Sequence, residues 1–123
     1  MIEIGLKHTS ELTVKYDMTA VAVGSGDMVV LATPMMIALM ENAAMLAVKD
    51  ELPDGCTTIG GFIESSHLKP SMIDDVVSAS AEVTKVDGKK IWFKISAYSG
   101  EALIGEGTHL RFVVDKEKFL SGL

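Results

Sequence analysis

Acid–base or nucleophilic chemistry needs a proton-carrying side chain in a setting that perturbs it, and Glu41 is the first such residue. Twelve of the fourteen residues from Met35 to Val48 are apolar, and Glu41 and Asn42 are the two exceptions. An ionised carboxylate buried without a partner is costly, so it shifts its pKa, finds a partner or faces a cavity. A carboxylate raised in this way can act as a general base near neutral pH. The plainer alternative is that Glu41 meets solvent at a gap, or accepts a structural hydrogen bond.

His67 is the second candidate. It follows Ile59, Gly61, Ile63 and Ser65 on one face of an alternating segment that stops at Lys69-Pro70-Ser71. A lone histidine there is commonly a core residue bonded to a backbone carbonyl. A strand end opposite the Glu41 helix makes a proton-carrying role equally tenable. Thr33 precedes Pro34, and a helix cap would explain it fully. Eight residues separate Thr33 from Glu41, roughly 12 Å along an ideal helix. The two share a substrate only if the helix starts later, or if a second subunit brings one of them closer.

Other reactive types carry less. His8 has no constellation and reads as surface. His109 lies in Gly105-Glu106-Gly107-Thr108-His109-Leu110-Arg111, where two glycines on one strand face indicate close backbone packing. No helix follows, so this is not a phosphate loop. Cys56 has no basic neighbour to favour a thiolate. As the single cysteine it forms no intrachain disulfide, which fits a reducing, cytoplasmic setting. The histidines and cysteine lack metal-ligand spacing, and there is no Gly-x-Ser-x-Gly.

The elements that must position these residues follow from the pattern. Leu6 to Tyr16 reads as a strand, and Val23 to Asp27 as a flexible connection. Thr33-Pro34 opens a helix that runs to about Lys49. Four strands follow: one after Gly55, one from Ile73 to Val86, one with Ile91, Phe93, Ile95 and Ala97 inward, and one from Ala102 to Val114. Asp87-Gly88 and Ser99-Gly100 turn the chain between them, and the tail from Asp115 is compatible with a short helix. This is an α+β arrangement in a single domain, residues 1–123. A helix without a polar face must be surrounded. The sheet therefore curls around it, or a second subunit covers the rest. A curved antiparallel β-sheet wrapped around one long central α-helix is the hotdog fold.

A net charge of −6 argues against general nucleic-acid binding, although local lysines could still hold an anion. Met35 to Val48 is too short to span a membrane, and no signal peptide is expected.

With the elements placed, the segment from Ala32 to Ala43 resembles the helix of the fluoroacetyl-CoA thioesterase-like family of hotdog proteins. There a Thr is followed eight residues later by a Glu preceded by Leu-Met, as in Thr33 and Leu39-Met40-Glu41. Gly60 and His67 match that family's second strand, and Gly105 to Arg111 its Gly-x-Gly-Thr-His-x-Arg. The resemblance extends from Val30 onward and is weak before it.

What the resemblance implies is hydrolysis of an acyl-CoA thioester by Thr33, Glu41 and His67 in a homodimer, with pairing into a tetramer left open. Glu41 would be base or nucleophile, and His67 would manage the proton. Thr33, or amides near the helix start and Gly60, would bind the oxyanion. Asn42 joins the substrate-binding set. Lys69 and Arg111 would be cations at the pocket mouth for CoA, with Lys85, Lys89 and Lys90 behind them. No cofactor is implied, coenzyme A being part of the substrate. A hydratase or dehydratase would place its catalytic His before the acidic helix residue, whereas Glu41 precedes His67. A non-catalytic acyl-CoA-binding module would keep the pocket and lack turnover. Members specialised for fluoroacetyl-CoA carry an aromatic lid before the helix. No Phe, Trp or Tyr occurs here between Tyr16 and Phe62, which implies a broader or different acyl preference.

Overall fold

The apolar run from Met35 to Val48 falls in a helix, α2, over Thr33–Val48. The computed structural model describes residues 1–123. Pro34 sits in the first turn of α2, where its missing N–H leaves nothing unpaired. The N-cap is Ala32, which makes no side-chain capping bond. The cap expected at Thr33 is therefore absent: Thr33 is already helical, and its hydroxyl is free for another partner.

Before α2 come β1 (Lys7–Thr13) and the single turn α1 (Ala20–Val23). After it come β2 (Cys56–Ser65), β3 (Val76–Asp87), β4 (Lys90–Ser99), β5 (Ala102–Asp115) and α3 (Lys116–Ser121). The strands form one antiparallel sheet in the order β1-β3-β4-β5-β2, curled as a half-barrel around α2. This is the hotdog fold. The expected flexible connection is partly ordered, because Thr19 caps α1 and Gly24, at φ 85°, ends it. β3 begins three residues later than the alternation suggested, since Asp74 turns the chain at φ 80°. No helix is long and apolar enough to cross a membrane.

Met36, Leu39, Met40, Ala43, Ala44 and Val48 of α2 pack on Val77, Ala79, Ala81 and Val83 of β3. Ile91, Phe93, Ile95 and Ala97 of β4 complete that floor, and the small alanines keep it shallow. A single chain does not enclose the helix. Pro34, Ala38 and Asn42 remain exposed, and Glu41 and Met45 are partly so. They recur at helical spacing and form one uncovered stripe.

β2 departs from simple alternation. Gly60 pairs with Arg111 and Phe62 with Leu110, so Gly61 is the extra residue of a β-bulge. The bulge reverses the parity of the strand. Gly60 faces the helix, rather than the Ile59 and Gly61 expected there, and Ile63 and Ser65 resume the inner face beyond it. β2 also ends at Ser65, so His67 lies in the following loop. That loop still tracks β5, through Ser66 N–H to the Glu106 carbonyl and Leu68 N–H to the Ile104 carbonyl. The close approach expected of the paired glycines is present. A Cβ on Gly105 would lie 2.7 Å from the Ser66 carbonyl oxygen, and one on Gly107 would overlap the Glu64 backbone.

Candidate active site

Two polar clusters lie on the α2 side of the sheet. The first is at the start of α2, where Thr33 Oγ1 and His67 Nδ1 are 2.7 Å apart. The loop after β2, which begins earlier than expected, carries His67 to the helix end, and the Thr33 hydroxyl meets it. Both residues line an open cleft of about 270 Å³ with Ala20, Leu31 and Lys69. Burial pulls the His67 imidazole below its ordinary pKa, and the Lys69 backbone opposes this more weakly. His67 Nε2 is buried without a partner in the chain. Lys69 is thus the one expected mouth cation that stands beside Thr33 and His67.

The second cluster surrounds Glu41, two helical turns further along. Its carboxylate lies over Gly60, where an added Cβ would be 2.9 Å from Glu41 Oε2. A side chain there would push the carboxylate from this position. Arg111 Nη1 is 3.7 Å from the same oxygen. The guanidinium is buried and donates from Nε to Thr58 Oγ1 (2.8 Å) and from Nη2 to the Thr58 carbonyl (2.9 Å). His109, also buried, bonds from Nδ1 to the Phe62 carbonyl (2.7 Å) and lies 3.2 Å from Arg111 Nη1 through Nε2. Burial lowers both groups' pKa values, while Glu41 opposes this for each.

Several expectations change. Arg111 is an interior ion-pair partner of Glu41 and not a cation at the mouth, because its inward parity on β5 points it at α2. Asn42 turns from the cleft towards β1, where its Oδ1 accepts from Ser10 Oγ at 2.7 Å. Lys85, Lys89 and Lys90 stand around the β3–β4 turn beside Trp92, Phe112 and Val113, at the opposite end of β5 from the His67 loop. Glu41 is not buried in the single chain, its side chain being 41% exposed. His109 was passed over in the sequence, yet the signal was there. It shares strand parity with Gly105, Gly107 and Arg111, and a glycine face packed against backbone is an inner face. No group of three or more His, Cys, Asp or Glu side chains is gathered as a metal site.

The family described as fluoroacetyl-CoA-specific thioesterase matches residues 14–117. The chain belongs to that family. A fluoroacetyl-CoA thioesterase of Streptantibioticus cattleyicolor is 36% identical over 90 residues, which are 73% of this chain and 65% of that protein. The match therefore spans a little under two thirds of the relative's own length. The family's structural signature extends further. A structure of the fluoroacetyl-CoA thioesterase superposes with a TM-score of 0.92 at 28% identity, covering 99% of this chain and 95% of the other. A mutant of that enzyme in complex with fluoroacetate and CoA gives 0.90 at 29% identity, over 96% and 99% of the two chains. A thioesterase superfamily member from Thermus thermophilus gives 0.90 at 27%, over 98% and 90%.

Proposed function

We propose that this protein hydrolyses an acyl-CoA thioester to the free acid and coenzyme A. The observation that carries the proposal is the Thr33–His67 hydrogen bond in the lining of an open cleft, in a chain of this family. Glu41 supplies the basic or nucleophilic oxygen, and its carboxylate accepts no hydrogen bond within the chain, which leaves its lone pairs available. His67 manages the proton. Thr33, with amides at the helix start and at Gly60, receives the charge that develops on the thioester oxygen. Lys69 faces the phosphates of CoA, and no cofactor takes part.

The functional unit is a homodimer of single-domain chains working in the cytoplasm. Within one chain Thr33–His67 and Glu41 are separated by eight helical residues, roughly 12 Å. In this dimer the uncovered stripe of α2 faces the second copy, and each site draws Glu41 from one chain and Thr33 and His67 from the other. The open edge of β2 offers a further contact between copies.

Free-thiol release over short, branched, aromatic and long acyl-CoAs tests the proposal. Turnover of at least one class is expected. Binding without release from any of them would instead identify an acyl-CoA-binding module.

A further inference from the structure

We infer that His109 and Arg111 form a positioning pair that sets the Glu41 carboxylate for reaction, anchored on the β-bulge of β2; this rests on the thioesterase reading above. The hydrogen-bond directions follow from which atoms can donate. The Phe62 carbonyl only accepts, so the proton of His109 is on Nδ1. An arginine N–H only donates, so Nε2 facing Arg111 Nη1 is bare. His109 is therefore the neutral Nδ1–H tautomer, fixed by a carbonyl that belongs to the bulge. Its ring packs at 6.0 Å from that of Phe93 on β4. The charged groups around it are Arg111 on its own strand and Glu41 on α2.

This tautomer completes a three-point hold on Arg111. Thr58 takes two of its N–H groups and His109 Nε2 a third. The guanidinium is in place before Glu41 is considered. Nη1 then faces Glu41 Oε2 at 3.7 Å, beyond hydrogen-bonding distance yet well within electrostatic reach. The carboxylate is drawn over Gly60 by a fixed charge while its lone pairs stay free for water or the acyl carbon. A closer guanidinium would orient it equally well and occupy the oxygen that must react.

Two substitutions separate this role from simple packing. His109→Asn keeps an amide N–H for the Phe62 carbonyl and removes the acceptor for Arg111. His109→Gln places an oxygen near the Nε2 position and gives up the bond to Phe62. Steady-state kinetics on the full chain should show His109→Asn lowering kcat about 10–100-fold with KM little changed. His109→Gln should recover most of that loss, and Arg111→Lys should lower kcat without rescue. Wild-type kcat in His109→Asn, or His109→Gln no better than His109→Asn, would overturn the inference while leaving the thioesterase reading intact. If the wild type released no thiol from any acyl-CoA, that reading alone would fail. The pair is then judged by ¹⁵N NMR of the wild type at pH 7. A protonated Nδ1 and bare Nε2 are expected, and a protonated Nε2 refutes the pair.

Discussion

Glu41 is both the proposed base or nucleophile and the carboxylate that faces Arg111. Glu41→Gln keeps the shape and removes the basic oxygen, so turnover should fall about 10²–10⁴-fold. The same change leaves the buried Arg111 charge without its carboxylate. The expected loss of stability lies between the ~0–1 kcal/mol of an exposed pair and the ~3–5 kcal/mol of a buried one, because only Arg111 is deeply buried. Denaturant titration reads this directly, and near wild-type activity would rule out the proposed role for Glu41. The histidines make stability depend on pH. Both folded-state pKa values lie below the ordinary 6.5, so the native state binds fewer protons than the unfolded chain. Their stabilisation is complete above about pH 6.5 and is lost as pH falls through that value towards the folded pKa values. Thermal stability should begin to fall as the pH drops below about 6.5, before the carboxylates titrate. A flat profile there would contradict the buried, neutral imidazoles.

Among the elements, α1 borders the cleft. Ala20 lines it, while Val21 and Val23 are 38% and 41% exposed. This single turn has small and β-branched side chains and no aromatic wall to close over a two-carbon acyl group. Apolar pockets separate groups one methylene apart by only about 1–3 kcal/mol, so selecting a single fluorine requires a dedicated device. The catalytic efficiency on fluoroacetyl-CoA should therefore exceed that on acetyl-CoA by less than about a hundredfold. A larger ratio would mean that α1 is an effective lid without aromatic residues.

For the whole molecule, the uncovered stripe of α2 and the open β2 edge ask for a second copy. Sedimentation should give a homodimer at micromolar concentration, and a stable monomer would remove the shared site. Mixing offers a sharper test. Glu41→Gln and His67→Ala should each be inactive alone. If each site draws Glu41 from one chain and His67 from the other, subunit exchange at equal amounts restores about a quarter of wild-type activity. No recovery after confirmed exchange would place the whole site within one chain.

The long helix, the run of strands and their antiparallel character were legible in the sequence, because local periodicity and turn residues fix them; that β2 pairs with β5 and not with β3 was not. Glu41 and His67 stood out as candidates, as polar residues in apolar elements, whereas Thr33 read as a helix cap and joined them only through the family resemblance. The partners of those residues were not legible. The bulge at Gly61 changes which side of β2 each residue faces, and no local pattern marks where an extra residue enters a ladder. Arg111 was expected at the pocket mouth because CoA phosphates call for cations, and His109 had no role beyond its place beside two close-packed glycines. Only the curvature that lays β2 and β5 beneath α2 brings them to Glu41. Thr33 lost its expected capping role because the helix begins one residue earlier, with Ala32 as its N-cap. A loop distant in sequence supplies His67, and a hydroxyl bonds to whatever partner the tertiary fold places 2.7 Å away.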